Sequence, residues 1–157
     1  MAVLTVIGIG SRLRGDDAIG PLLIDALAEQ ADPSMELVDA GSDALGILEY
    51  FQEREHVLIV DACSMGRTPG SVVTIDPSQI HMVLKEDPVS LHGLGLAEAI
   101  SMGESLQMLP GDLKIIGIEP ESFQFNGSLS APVKRALKMA VRIVQDELDR
   151  IKIPIEA

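Results

Sequence analysis

Cations, aromatics and cysteine are all scarce in these 157 residues. Twelve Lys and Arg stand against 24 Asp and Glu, a formal charge of −12. A surplus of that sign repels phosphate backbones and anionic lipid surfaces, which argues against nucleic acid or a membrane as partner. With no Trp and one Tyr, the chain has little with which to stack bases. A single cysteine, Cys63, excludes an internal disulfide and gives no sign of an oxidising compartment. The N-terminal apolar run, Ala2 to Ile9, lacks a basic flank and is far too short to span a bilayer. These absences lead to the expectation of a cytoplasmic protein. What is present is 46% apolar, enough for a sizeable core, and no repeat or linker divides it. One domain over residues 1–157 is expected.

Several short runs have the character of buried strands. "AVLTVIGIG" is continuous, β-branched and closed by glycines, as expected of a strand covered on both faces. "MELVDAG", "HVLIVDACS", "GSVVTIDP" and "LKIIGIEP" are four more. Between and after them lie helical spacings. One runs from Pro21 to Ala28, and a short one through Leu45, Leu48 and Phe51 has Asp43 placed to cap it. Another covers Leu91 to Met102, with Gly93 and Gly95 weakening its first turn. A long final helix has Pro132 near its start and Val133, Leu137, Ala140, Val141, Val144 and Leu148 on one face. Strands alternating with helices predict an α/β three-layer sandwich with helices on both faces of a mostly parallel five-stranded sheet. Only the Met65–Gly70 loop separates the third strand from the fourth, too little for a helical crossover. Those two strands are therefore expected to pair antiparallel, making the sheet mixed.

Acids gather where the strands end. Asp16 and Asp17 follow the first strand, Asp39 ends the second and Asp61 the third, and open α/β sheets bind ligands in the crevice outside their carboxyl ends. Any one of these aspartates reads most simply as a cap or turn residue. Together they raise one another's pKa unless a cation or proton intervenes. The glycines of "GIGSRLRGDDAIG" (residues 8–20) suggest a phosphate cradle instead. However, a dinucleotide fingerprint starting at Gly8 needs glycine at position 13, where Leu13 stands. Asp16 and Asp17 at a helix start would also repel a pyrophosphate. The glycines are better explained by a tight turn and close backbone approach. Asp39 in the place of a ribose-binding acid keeps a nucleotide-binding module as the alternative.

Among three histidines, His56 opens the third strand at the far edge and His81 has no acidic neighbour in sequence. His92, in "SLHGLGLAEAI", precedes a helix, whose dipole disfavours imidazolium and keeps the ring free to bind metal. Cys63 reads as a small buried hydrophobe, Met82, Met102 and Met108 as core filling, and Glu119 as a groove or turn residue.

The ordered set "GIGSRLRGDDAIG", "VLIVDA", "SLHGLGLAEAI" and "GIEPES" resembles the hydrogenase maturation endopeptidases over residues 3 to about 145. These process the large subunit of nickel–iron hydrogenases. Two departures are Ser11, where the family usually has Asn, and Asp39-Ala40-Gly41, where Asp-Gly-Gly is common. The resemblance implies that Asp17, Asp61 and His92 bind metal together. It also implies that nickel arrives within the precursor of the hydrogenase large subunit, as the mark that directs removal of a C-terminal extension. Two carboxylates and an imidazole suit nickel, with zinc or cadmium as a surrogate, and leave coordination positions open. The base that activates water is left between Asp16 and Asp39. A nickel-binding accessory protein without peptidase activity would use the same ligands.

Overall fold

The structure, a computed structural model, describes residues 2–85 and 93–153. Its strands are β1 (Leu4–Ile9), β2 (Met35–Gly41), β3 (His56–Ala62), β4 (Val72–Ile75) and β5 (Asp112–Ile118). The helices are α1 (Ile19–Ala28), the short α2 (Ile80–Val83), α3 (Gly93–Ser105) and α4 (Ala131–Lys152). 3-10 segments include Gly15–Ala18 and Leu45–Phe51. No helix among the described residues is long and apolar enough to cross a membrane.

The sheet order is β2-β1-β3-β5-β4, parallel except for β4. The most continuously apolar runs occupy its middle, because β1 and β3 are covered on both faces. Ile7, Ile9 and Ile59 pack one face against the Leu45–Phe51 turn and α3. Val6, Leu58 and Val60 pack the other against α1 and α4. In α4 the buried stripe is Val133, Ala136, Ala140, Val144 and Leu148, with Leu137 and Val141 half-covered. Asp43 accepts the Gly46 N–H at 3.0 Å at the start of its turn.

One pairing differs from expectation. β4 runs antiparallel, but along β5 and not β3. Both edges of β3 are taken, by β1 and by β5 in seven-residue register. The 63–71 segment instead passes over the end of β5, held by Cys63 N–H to Ile118 O (2.9 Å) and Gly70 N–H to Glu119 O (2.8 Å). Loop length excluded a crossover helix, but could not exclude a strand arriving later and inserting between the two.

α1 returns β1 to β2 on one face, whereas the chain from β2 to β3 crosses on the other. The crevice between the carboxyl ends of β1 and β3 is therefore a switch point, the usual place for a ligand.

Candidate active site

The first loop enters this crevice because its glycines let backbone meet backbone. A side chain at Gly8 would strike the carbonyl of Gly20, so α1 lies directly on β1. Gly10 has φ +142°, and a Cβ there would overlap the Asp17 carbonyl oxygen. The loop thus folds back on itself, and the Ser11 N–H donates to Asp17 Oδ2 at 2.8 Å. Asp17 is wholly buried.

Asp61 comes from β3 next door. It shares a face with Val57, Ile59 and Cys63, because side chains alternate along a strand. It too has no exposed surface, and neither of its carboxylate oxygens has a hydrogen-bond partner among the described residues. Burial drives its pKa well above the ordinary carboxylate range, and the charge of Asp17 drives it further. The adjacent Ala62 amide offsets this weakly, without reaching hydrogen-bond geometry. Two buried aspartates, one from the 3-10 segment after β1 and one from the end of β3, therefore lie close enough to interact in the crevice. The third expected ligand, His92, lies outside the described residues. Among the described residues, no three His, Cys, Asp or Glu side chains group around one point.

The remaining candidates have other partners. Asp16 is buried in a nest of donors: Glu121 N–H (2.8 Å), Ser122 N–H (3.0 Å) and Ser130 Oγ–H (2.9 Å) on Oδ2, and Ser130 N–H (2.7 Å) on Oδ1. One of the two residues between which the base was left, it joins the first loop to the chain before α4 through these four bonds. Asp39 lies on the α1 side of the sheet, where Arg12 reaches its Oδ2 at 2.9 Å and grips Asp25 at 2.6 and 2.9 Å. The Arg12 guanidinium is thereby held charged. Asp39 thus does not converge with Asp17 and Asp61, because position 39 points to the opposite face.

Glu119 closes the crevice from β5. Its Oε1 accepts the Met65 N–H (2.9 Å) and Arg67 N–H (2.8 Å), tying down the loop after β3. Cys63 sits in the core, its thiol contacting the Asp61 carbonyl at 3.6 Å. Burial and the nearby Asp61, Glu119 and Asp17 push the thiol pKa well up, which disfavours the thiolate. His56 pairs with Asp112 at the far edge (2.7 Å), and His81 Nε2 meets Ser101 Oγ (2.7 Å). Met82 and Met102, expected as core filling, are 80% and 47% exposed.

The residues that sequence reasoning missed are donors and not acids: the Ser11 amide on Asp17 and Ser130 on Asp16. No local pattern marks a backbone amide as a ligand. Ser130 meets Asp16 only across 114 positions.

Known proteins share this fold. The hydrogenase maturation protease family model, HycI, matches residues 21–147. The HoxM hydrogenase expression/formation protein of Cupriavidus necator is 30% identical over 151 residues, covering 94% of this chain and 75% of its own. The hydrogenase 2 maturation protease of Escherichia coli is 28% identical, covering 90% and 87%. The solved structure of the hydrogenase maturating endopeptidase HybD from E. coli superposes with a TM-score of 0.79 at 27% identity, covering 97% of this chain and 94% of that one. Family model, curated relatives and fold agree over nearly the whole length, and the chain belongs to the hydrogenase maturation protease family, a family of hydrolases.

Proposed function

We propose that this chain removes a C-terminal extension from the precursor of a nickel–iron hydrogenase large subunit, with the nickel already in that precursor serving as the recognition mark. The observation that carries the reading is Asp61, a carboxylate with no exposed surface and, among the described residues, no donor on either oxygen, beside the second buried carboxylate of Asp17. A charge so placed costs several kcal/mol to keep unless a proton or a cation compensates it. Paired oxygens in a strand-end crevice fit a borderline divalent ion, and His92 is the expected third ligand.

The chain's own contribution is placement. Gly10 lets the first loop double back, and the Ser11 amide fixes the Asp17 carboxylate through one oxygen. β3 presents Asp61 from below, while Glu119 steadies the loop that follows. A bound ion would supply Lewis-acid polarisation of the scissile carbonyl and a more acidic attacking water. Burial of Cys63 disfavours a thiolate there.

Nickel-loaded precursor is incubated with the protein, and the released C-terminal peptide is sought by mass spectrometry. Cleavage is expected with nickel in the precursor and not without it. Asp61→Asn should lower the rate by about a thousandfold or more while the protein stays folded, since one charged group is traded for a neutral amide of similar volume. An Asp61→Asn protein cutting at the wild-type rate would falsify the assignment. Precursor that binds but is never cut would instead favour a nickel-binding accessory protein.

A further inference from the structure

The N-terminal half of α4 carries its charges against the grain of a helix, whereas its last turn, with Arg150 and Lys152, follows it. A helix N-terminus favours acids and a C-terminus favours bases. The first turn of α4 has no acid, and Lys134, Arg135, Lys138 and Arg142 stand exposed within roughly its first three turns. Asp146 and Asp149 come only afterwards. Lys134, Lys138 and Arg142 succeed one another at i, i+4 spacing, with Arg135 three before Lys138, so the four form one stripe. Like charges so spaced destabilise a helix.

Ion pairs do not explain the stripe. The chain's paired cations are elsewhere: Arg12, Arg54, Lys114, Arg150 and Lys152 each contact a carboxylate. Among the described residues, none of the four stripe residues has such a partner, although acids outnumber bases two to one in the whole chain. A net charge of −12 already serves solubility. Four free cations on one face are therefore unexplained by helix, core or solvent.

Their position is informative. Ser130, the residue before α4, gives both its amide and its hydroxyl to Asp16 in the first loop. A groove of about 410 Å³ between α1 and α4 is lined by Gly15 and Ala18 of that loop and by Lys134 and Leu137. The stripe thus begins beside the loop that holds Asp17 and runs away from it for about 12 Å. That length matches a handful of carboxylates on a protein surface. A nucleic-acid duplex or an anionic bilayer presents a wider field and would press the rest of an acidic chain against like charge.

We propose that Lys134, Arg135, Lys138 and Arg142 form a docking stripe for an acidic face of the protein substrate. The proposal rests on the processing activity inferred above, and it assigns the stripe to holding the precursor and not to cutting it.

The test compares the full-length wild type with the K134Q/R135Q/K138Q/R142Q variant on nickel-loaded precursor. KM should rise about tenfold or more with kcat within about twofold, because charged rims govern encounter and retention. The wild-type KM should climb steeply between about 50 and 300 mM salt, and that of the variant should stay nearly flat. The variant should melt at the wild-type temperature or above, since the repulsions are gone. An unchanged KM with an unchanged salt response overturns the proposal, as does a variant that melts lower. Salt-sensitive binding of wild type to DNA or to phosphatidylserine vesicles, lost in the variant while KM is unmoved, also overturns it. Should neither protein cut the precursor, the processing reading fails separately. Interferometry of precursor binding still reads the stripe, with weaker binding by the variant expected and equal binding overturning it.

Discussion

Asp16 and Asp61 are both wholly buried aspartates at the carboxyl edge of one sheet, and their surroundings are opposite. Asp16 receives four hydrogen bonds from three residues brought from more than a hundred positions away. Asp61 receives none among the described residues, and the charge of Asp17 is close enough to raise its pKa. A buried carboxylate supplied with donors is a fastener, because each charge-assisted bond offsets part of its desolvation. A buried carboxylate left without donors is a cost that folding alone does not recover, and that pattern marks a site. The adjacent pair Asp16-Asp17 shows how sharp the division is: one carboxylate closes the loop, the next turns into the crevice.

The largest effect should come from Asp16. Asp16→Asn keeps the volume but sets amide hydrogens against amide donors, so a stability loss of about 3–5 kcal/mol is expected. Thermal melting should show a fall on the order of 10 °C for a chain of this size. A loss below about 1 kcal/mol would break the comparison, since the clasp would then be no fastener.

Asp61→Asn should do the reverse. With a folded-state pKa above the unfolded one, the folded protein binds the extra proton. Wild-type stability therefore falls as pH rises from the ordinary carboxylate range through that raised value. Metal-free Asp61→Asn should match or exceed wild type at neutral pH by up to about 2 kcal/mol, and the gain should vanish in acid. Melting curves across pH test this, and a clear neutral-pH loss would show that Asp61 has an unseen structural partner.

Cys63 provides the smallest and sharpest contrast. It lies two residues past Asp61 on the same face, equally buried, yet it is surrounded by core. Cys63→Ala should cost about 1 kcal/mol and leave precursor cleavage intact. Full loss of cleavage in a folded variant would return the thiol to the chemistry.

Much of this was legible from spacing. The apolar runs of β1 and β3 marked the central strands, because both faces of an interior strand must be apolar. The crowd of glycines between Gly8 and Gly20 marked close backbone approach. Asp17 and Asp61 stood out as acids at strand ends. Other features were not legible. Asp39 looks like Asp61 in sequence, yet it points to the α1 side and meets Arg12. Met82 and Met102 have the hydropathy of core residues, yet they lie on the surface.

By itself the sequence determined the elements, the loop that folds back at Gly10 and the acidic character of the crevice, all of which follow from local sterics, periodicity and composition. Tertiary structure alone decided that β5 inserts beside β3, that Ser130 reaches Asp16, and that nothing reaches Asp61 among the described residues. Strand partners and buried donors are supplied by distant segments. A carboxylate becomes a clasp or a site according to which segment arrives, and no short stretch around it records the choice.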